Sequence, residues 1–350
     1  MNDTQTNQRQ NNLLNFIFLH PFSSRAEIEI SLEGEKSSRI TIIRDLNRLL
    51  ELGWIEQNGG GKHIKYSLRK GKELLIPINL ESYFKQSTDQ RNVLYPTFDM
   101  SLIKKLGNLF LKEEIDLFEQ GRIKLEDRFK NLDKTIVRRE LERFTVELSW
   151  KSSQIEGNTY SLLETEELIK NQKEAPGHDK SEAVMIINHK NAFDVILNNK
   201  ETFRDISLSD IRSIHAELTK DLEISSGIRE SAVGITGTKY IPLDNKFQIE
   251  EAIEAILSQI QDIPTIPEKA LILLSMIAYL QPFTDGNKRT SRLVSNAVLL
   301  ANGYYPLSYR SVDEVEYKKA LILFYEQHNI FHLKRIFLEQ QKFAIDHYFL

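Results

Sequence analysis

Cysteine is absent from the 350 residues of this chain. Its absence excludes disulfide bonds, thiolate metal sites and a cysteine nucleophile, and it leaves the cellular compartment open. An excess of positive charge is also missing, because the formal net charge is -4. The chain as a whole therefore offers no general attraction to nucleic acid or to anionic membranes, and any such binding must be local.

Long apolar runs are lacking as well. The most apolar stretch, Ala270 to Leu280, is shorter than the roughly 20 residues that a membrane-spanning helix needs. The first residues do not show the basic segment and long apolar run of a secretory signal. We therefore expect a cytoplasmic protein with no membrane partner. Hydrophobic residues at 41% and charged residues at 27% are typical of a globular chain, here long enough for two domains.

The first 80 residues combine helical periodicity with two short strands. Helices are expected at Asn12 to His20, at Arg25 to Leu32, and from Ser37 or Ser38 onward, where either serine is a suitable N-cap. A glycine-rich tip then joins the strands Trp54 to Glu56 and Ile64 to Leu68. This order resembles a winged helix-turn-helix. We assign residues 1–80 to that domain, 81–97 to a linker and 98–350 to a second domain.

Basic side chains of the first domain are predicted to face a DNA duplex. The third helix would present Arg39, Arg44 and Arg48, and the hairpin would add Lys62, His63 and Lys65. Residues 1–80 hold 11 Lys and Arg against 9 Asp and Glu, which gives about +2 and leaves about -6 on the remainder. Many DNA-binding domains are far more basic, so a winged helix used for protein contacts remains the alternative.

From Phe98 onward the chain is predicted to be almost entirely helical. Nine segments, from Leu102–Gln120 to Val312–Gln327, have apolar residues at three-to-four spacing. One interruption, Gly227 to Pro242, has the pattern of a short hairpin. The expected architecture is mostly α: a winged helix with a small β hairpin, followed by an all-α domain with one exposed hairpin.

The stretch LQPFTDGNKRTSR, residues 280–292, has features that suit phosphate binding. Pro282 stops one helix, Gly286 permits torsions closed to other residues, and Asn287 can cap the next helix. The free N–H groups of that helix and the cations Lys288, Arg289 and Arg292 favour an anion. An ordinary interhelical turn, with arginines paired to surface acids, is the alternative.

The same stretch resembles the signature of the Fic (Fido) family, His-Pro-Phe-x-Asp/Glu-Gly-Asn-Gly-Arg-x-x-Arg. Two positions depart from it, because Gln281 replaces the histidine and Lys288 replaces the second glycine. Residues 152–158, SSQIEGN, are similar to the family's inhibitory motif, and residues 227–242 to its flap. Tyr317 with Leu321 resembles the family's Tyr-Tyr-x-x-Leu segment. The resemblance covers roughly residues 98–345 and implies an all-α Fic fold.

The resemblance implies Mg²⁺ with ATP as the cofactor and a role for each matching residue. Asp285 would hold Mg²⁺, Gly286 and Asn287 would line the phosphate cradle, and Arg289 would contact the nearer phosphates. Arg292 would engage the γ-phosphate, with Glu156 as an internal competitor that favours autoinhibition. Lys288 and Tyr317 complete the nucleotide-binding set. The flap residues Ile235, Thr236, Gly237 and Tyr240 would dock an unknown target protein by backbone pairing.

The two departures limit the activity that is expected. A glutamine amide cannot accept the proton that the family's histidine removes from a target hydroxyl, and general-base catalysis contributes about 10² to 10⁴ in rate. We therefore predict a nucleotide-binding, autoinhibited protein with weak or lost AMP transfer and a DNA-binding, regulatory role. An active adenylyltransferase is the alternative, as is a kinase like the related Doc toxins, whose Asn-Lys-Arg form residues 287–289 share. A homo-oligomer is left open.

Overall fold

The computed structural model describes residues 6–31 and 38–350. The chain divides into two compact units, Met1–Asn79 and Leu80–Leu350. Each unit has its own buried apolar core, and each is described separately below.

The first unit consists of three helices and a small antiparallel sheet. The helices are α1 (Gln8–Leu19), α2 (Arg25–Ser31) and α3 (Arg39–Glu51), and the strands are β1 (Ser23–Ser24), β2 (Ile55–Asn58) and β3 (Lys65–Leu68). Strand β3 lies between β1 and β2, with Tyr66 opposite Gln57. The three helices and the two paired strands that the sequence predicts are present, and the structure adds β1.

Helix α3 shows why this segment folds as the sequence suggested. Ser38 caps it by accepting a hydrogen bond from the Thr41 N–H, whereas Ser37 lies outside the described residues. Ile42, Leu46 and Leu49 are buried one helical turn apart. The opposite face is turned to solvent.

The second unit is built almost entirely from helices. They are α4 (Leu80–Phe84), α5 (Lys112–Asn131), α6 (Lys134–Ile155), α7 (Leu162–Asn171), α8 (Lys180–Asn198), α9 (Leu208–Thr219), α10 (Lys246–Gln261), α11 (Ile266–Leu280), α12 (Asn287–Ala301), α13 (Glu314–Gln327) and α14 (Phe331–His347). The mostly α fold class is thus confirmed. Short 3₁₀ turns occupy Thr88–Gln90, Met100–Lys105 and Lys200–Asp205.

Helix α11 is the central element of the second unit. Apart from Ile266 and Lys269, all of its residues are buried, as expected for a helix that is apolar on every side. It packs most extensively against α12, which follows it after a six-residue turn. The turn is therefore held on a rigid pair of helices.

One helix prediction was wrong, and one helix was not predicted. Residues 102–120 do not form one helix, because a 3₁₀ turn ends at Lys105 and α5 begins at Lys112. Between them Gly107 and Asn108 have positive φ angles, of 151° and 55°, which are incompatible with a continuous right-handed helix. Helix α14 was not predicted, although it is 17 residues long.

The predicted flap hairpin is also wrong. Within the described part of the chain, residues 227–242 form no strand ladder with each other, and their one β-bridge is a parallel contact between Ile241 and Thr97. The predicted linker 81–97 needs correction too. It is packed into the second unit, where Arg91 forms a buried ion pair with Glu326 at 2.8 Å.

No helix in residues 6–31 and 38–350 combines the length and the apolar character needed to cross a bilayer.

The buried His328 gives the second unit a predicted dependence on pH. Its Nε2 lies 3.0 Å from the Tyr279 hydroxyl and its ring stacks on Tyr95, and burial lowers its pKa to about 4. Because an unfolded histidine has a pKa near 6.5, neutral His328 stabilises the fold above that pH. This stabilisation, about 3 kcal/mol, is lost progressively as the pH falls from about 6.5 to 4.

Replacing His328 by asparagine, which tolerates its positive φ of 51°, should reduce this loss of stability. Urea unfolding at pH 7.5 and 4.5 would measure it, in a Trp54→Phe chain whose remaining tryptophan, Trp150, reports on the second unit. The exposed His63 changed to asparagine is the control. An equal pH dependence in all three chains would contradict the prediction.

Candidate functional site

The turn between α11 and α12 is fixed by two residues with left-handed backbone torsions. Gln281 ends α11 at φ 51° and ψ 59°, and Gly286 precedes α12 at φ 79°. A Cβ on Gly286 would come within 3.3 Å of the Thr219 Cγ2 atom, so both the torsion and the space favour glycine. Gly286, and not Asn287 as predicted, is the N-cap of α12.

Asn287 instead holds the turn closed. Its Oδ1 accepts a hydrogen bond from the Phe283 N–H at 2.8 Å, and its Nδ2 donates to the Phe283 carbonyl oxygen at 2.8 Å. The same Nδ2 also donates to the Gln281 Oε1 at 3.1 Å. The amide therefore bridges the two ends of the turn, which leaves the first N–H groups of α12 without a side-chain cap.

Gln281 is fixed at both ends of its own amide. Its Nε2 donates to the Ala278 carbonyl oxygen at 2.6 Å, and its Oε1 accepts from Asn287. The residue is 8% exposed and lines the cavity described below. Its side chain can hydrogen-bond a ligand, but as an amide it cannot take up a proton near neutral pH.

Arg292 is completely buried and is held by groups from two other helices, α6 and α13. Its Nε donates to the Ser152 hydroxyl oxygen at 2.9 Å, and its Nη2 donates to the Ser152 carbonyl oxygen at 2.8 Å. The same Nη2 lies 2.9 Å from the Glu156 Oε1. Its guanidinium lies 5.6 Å from the centre of the Tyr317 ring. Tyr317, predicted to bind nucleotide, is thus a buried support for Arg292.

Glu156 lies at the C-terminal end of α6 and meets a cluster of cations. Besides Arg292, its carboxylate approaches Lys288, with 3.7 Å between Oε2 and Nζ. Burial alone would raise the pKa of Glu156, but Arg292, Lys288 and Arg289 lower it below the ordinary value. The carboxylate is therefore ionised at neutral pH and compensates the buried Arg292.

Arg289 is compensated less well than Arg292. It is 2% exposed, its nearest carboxylate is that of Asp285 at 3.6 Å, and that carboxylate is mostly in solvent. Its buried Nη1 has no hydrogen-bond partner among the described residues. Burial lowers the pKa of Arg289, and Asp285 and Glu156 offset this only in part. A guanidinium in this state is a favourable partner for an anion.

These groups surround a cavity of about 510 Å³, a volume in the usual range for small-molecule sites. The cavity is lined by Glu156, by Gln281 and residues 284–289 of the turn and α12, by the flap residues Val233, Gly234, Ile235 and Thr236, and by Lys318, Leu321, Ile322 and Tyr325 of α13. Most of the predicted site residues are thereby brought together. Lys318 was not predicted.

Two predicted flap residues lie elsewhere. Tyr240 is 2% exposed, and its hydroxyl donates to the Tyr279 carbonyl oxygen at 2.8 Å, so it belongs to the core and not to a docking surface. Gly237 does not line the cavity, and its carbonyl oxygen accepts a hydrogen bond from Arg91. The part of the flap that lines the cavity, residues 233–236, is accordingly shorter than the predicted docking segment.

Arg229 and His215 are structural residues of the site whose roles the sequence did not reveal. The Arg229 Nε donates to the Gln281 carbonyl oxygen at 2.6 Å, and its backbone N–H donates to the Pro282 carbonyl oxygen at 3.1 Å. His215 stacks on Phe283, and its Nε2 lies 2.9 Å from the Asp285 carbonyl oxygen. Burial lowers the pKa of His215, which favours the neutral ring.

Metal binding at this site would depend on few protein ligands. No cluster of three or more histidine, aspartate or glutamate side chains within the described ranges could hold a metal ion. Asp285, 68% exposed at the cavity wall, offers one carboxylate. One carboxylate together with phosphate oxygens and water is a common environment for Mg²⁺, so the residues fit a cation that arrives with a phosphate ligand.

Part of this chain is similar to known proteins. A model described as Fic/DOC family matches residues 205–299. The protein adenylyltransferase fic-1 of Caenorhabditis elegans is 26% identical over 205 residues, 56% of this chain and 40% of that protein. The protein adenylyltransferase Fic of Aedes aegypti is 31% identical over 159 residues, 44% of this chain and 32% of that protein. The matched region thus spans about two fifths or less of each relative's length.

Solved structures show the same fold at low identity. The structure of residues 134–508 of Fic-1 from C. elegans has a TM-score of 0.57 at 22% identity and covers 67% of this chain and 71% of that one. A Fic domain containing signaling protein from Bacteroides thetaiotaomicron has a TM-score of 0.53 at 19% identity, with coverage of 66% and 96%.

Proposed function

Because residues 205–299 match the Fic/DOC family, we propose that the cavity of this chain binds ATP with Mg²⁺ in an autoinhibited state. AMP transfer to a protein hydroxyl is weak or lost. The names of the relatives, protein adenylyltransferases, support the reaction class. The observation that carries the proposal is the 2.9 Å contact between the Glu156 carboxylate and Arg292 beside the cavity.

The phosphates of ATP would lie against the N-terminus of α12. Its first N–H groups have no side-chain cap and carry partial positive charge. Arg289 adds a buried guanidinium whose Nη1 is unpaired among the described residues. Asp285 would hold Mg²⁺, which when bound neutralises phosphate charge. The family assignment of Gly286, Asn287 and Lys288 to this cradle is part of the proposal.

Glu156 would compete with the terminal phosphate for Arg292. Both are anions with oxygen acceptors, and a guanidinium binds either with charge-assisted hydrogen bonds. While the carboxylate keeps its place, the γ-phosphate must find another position or displace it. Inhibition then follows because the Glu156 carboxylate occupies the Arg292 guanidinium that the γ-phosphate would bind.

Gln281 accounts for the low activity in this proposal. In the family reaction a histidine removes a proton from the target hydroxyl, and the amide of Gln281 has no such capacity. A second base acting in its place would make the chain an active adenylyltransferase. A Doc-like kinase, transferring the γ-phosphate, is the other alternative, and it is favoured only by the Lys288 substitution.

The target segment would dock along the flap. The backbone of residues 232–236 makes no hydrogen bond to any part of the chain that the structure describes. These residues border the cavity, and their free N–H and C=O groups can pair with an extended segment as an added strand would. Such pairing recognises backbone atoms of the target and not its side chains, so it does not identify the target.

Glu156→Gln is predicted to strengthen ATP binding, because it leaves the Arg292 guanidinium without its anion. One charge-assisted hydrogen bond is worth about 1.5–3 kcal/mol, so the affinity should rise about tenfold or more. Isothermal titration calorimetry with ATP and Mg²⁺ measures this. Glu142→Gln, an exposed glutamate of the same helix, is the matched control for loss of charge. Equal affinities in both variants would refute the competition.

Gln281→His is predicted to restore AMP transfer, since an imidazole can accept the proton of the attacking hydroxyl near neutral pH. Combined with Glu156→Gly it should give more activity than either change alone. The readout is self-modification in the presence of Mg²⁺ and ATP labelled at the α or the γ phosphate. Transfer of α label means AMP transfer and transfer of γ label means a kinase. If Lys288 blocks the cradle, activity appears only when Lys288→Gly is added.

No transfer of either label in the triple variant would count against the enzyme and in favour of a non-enzymatic regulator.

The first unit has one feature that supports a second function, DNA binding. Arg39 and Arg44 are exposed on α3, and Arg44 lies on the face opposite its buried side. Among the described residues no carboxylate pairs with Arg44. Arg39 lies 3.5 Å from Glu29 and Arg48 lies 3.6 Å from Glu51, which reduces the charge available to phosphates. In the hairpin Lys65 and His63 are exposed. The side chain of Lys62 is not part of the described structure.

Binding of the full chain to duplex DNA should weaken steeply with salt through counterion release. Arg44→Gln should reduce the slope of log affinity against log salt concentration by about 0.9, the contribution of one phosphate contact. Arg138→Gln in the second unit, whose side chain is 75% exposed, is the control. Failure to shift either random or promoter-derived duplexes at low salt would rule this function out.

A further inference from the structure

The second half of the flap is fastened by a segment that lies about 145 residues earlier in the chain. We name residues 89–97 the strap. The Ile241 N–H donates to the Pro96 carbonyl oxygen at 2.8 Å, and Ile241 forms a parallel bridge with Thr97. The Lys239 Nζ donates to the carbonyl oxygens of Asp89 and Arg91, each at 3.1 Å. Three hydrogen bonds, one of them part of the bridge, therefore join Lys239 and Ile241 to the strap.

A buried carboxylate, Glu326, joins the strap and the flap to α13. Its side chain is 0% exposed. It accepts hydrogen bonds from the Arg91 Nη2 at 2.8 Å and from the Thr238 hydroxyl at 2.7 Å. The Tyr83 hydroxyl donates to its other oxygen at 2.7 Å. Arg91 also donates to the Gly237 carbonyl oxygen, so one guanidinium contacts both the flap and the carboxylate.

The first half of the flap is fastened differently. The Arg229 side chain donates to the carbonyl oxygens of Gln281 and Ser231, each at 2.6 Å. Between these two fastenings lie residues 232–236, whose backbone makes no hydrogen bond within the described structure. The flap thus consists of two anchored ends and a free middle that borders the cavity.

We propose that the strap is a positioning element for the flap and that Arg91 is its positioning residue. By fixing residues 237–241, Arg91 and Glu326 set the place of the free backbone edge, residues 232–236, so that an extended protein segment meets an ordered edge. Only this last step, reception of a target segment, rests on the proposed function. The fastening itself does not depend on it.

The contacts to Glu326 offer a flap-specific change and a matched control. A hydrogen bond to a buried carboxylate is charge-assisted and stronger than one between neutral groups. Thr238 and Tyr83 both donate to Glu326, but only Thr238 belongs to the flap. Removing either hydroxyl therefore removes one hydrogen bond to Glu326, from the flap in the case of Thr238 and from outside it in the case of Tyr83. The chain supplies its own matched pair of variants.

The test is hydrogen exchange of the flap amides in the full chain, compared among Thr238→Val, Tyr83→Phe and the unchanged protein. The reporter is the Ile241 amide, which is bonded to the strap, because the Tyr240 amide also contacts the Thr238 hydroxyl directly. Thr238→Val should speed exchange at Ile241 about tenfold, in proportion to one lost bond to a charged group. Tyr83→Phe should leave it nearly unchanged, and Thr238→Ser should restore protection.

ATP affinity separates positioning from general damage. The proposal expects Thr238→Val to leave the affinity for ATP and Mg²⁺ unchanged, because its hydroxyl does not line the cavity. If Thr238→Val does not fold, Lys239→Gln removes two strap contacts without touching Glu326 and should also speed exchange at Ile241. Unchanged exchange in the flap variants, or equal acceleration by Tyr83→Phe, would overturn the proposal. Failure of every variant to bind ATP would overturn the proposed function alone.

Discussion

The buried ion pair between Arg292 and Glu156 is the interaction on which the rest of the site depends. A guanidinium with no exposed surface is expensive to bury unless it is paired and hydrogen-bonded. Here the carboxylate at the end of α6, the Ser152 oxygens and the Tyr317 ring supply that environment. Helices α6, α12 and α13 therefore meet at one charge, and the position of α12 relative to them is set there.

This pair also determines what a ligand must be. A neutral molecule that displaced Glu156 would leave Arg292 buried without compensation, whereas an anion with several acceptor oxygens would replace the carboxylate at little cost. The neighbouring Arg289 has an Nη1 donor without a partner among the described residues. It therefore also favours negative charge on the side of the cavity. Under the proposed function, a site in which Glu156 holds Arg292 therefore favours a polyanionic ligand. Selectivity between such ligands must come from the flap and α13.

The local chemistry of the site was predictable from the sequence, but its longer-range connections were not. Residue types at short spacing predict that a helix ends before Pro282 and that Gly286 has a left-handed torsion. They also predict where Glu156 lies. The function of Asn287 was misjudged, because its amide closes the turn instead of capping α12. The strap looked like a linker because its partners, Glu326 and residues 237–241, lie about 145 to 235 positions away. Local periodicity carries no information about such pairs.

The burial of Glu326 has a consequence for shortened versions of the protein. A chain cut at residue 98, the boundary that the sequence suggests, would lose Tyr83 and Arg91 and keep the carboxylate they serve. Leaving a buried charge unpaired costs about 3–5 kcal/mol, and Ile241 would lose its backbone acceptor as well. A domain trimmed in this way would present a loosened flap, and a loss of target docking measured on it would be an artefact of the cut. The smallest fragment that keeps the contacts of Tyr83 and Arg91 to Glu326 begins before Tyr83.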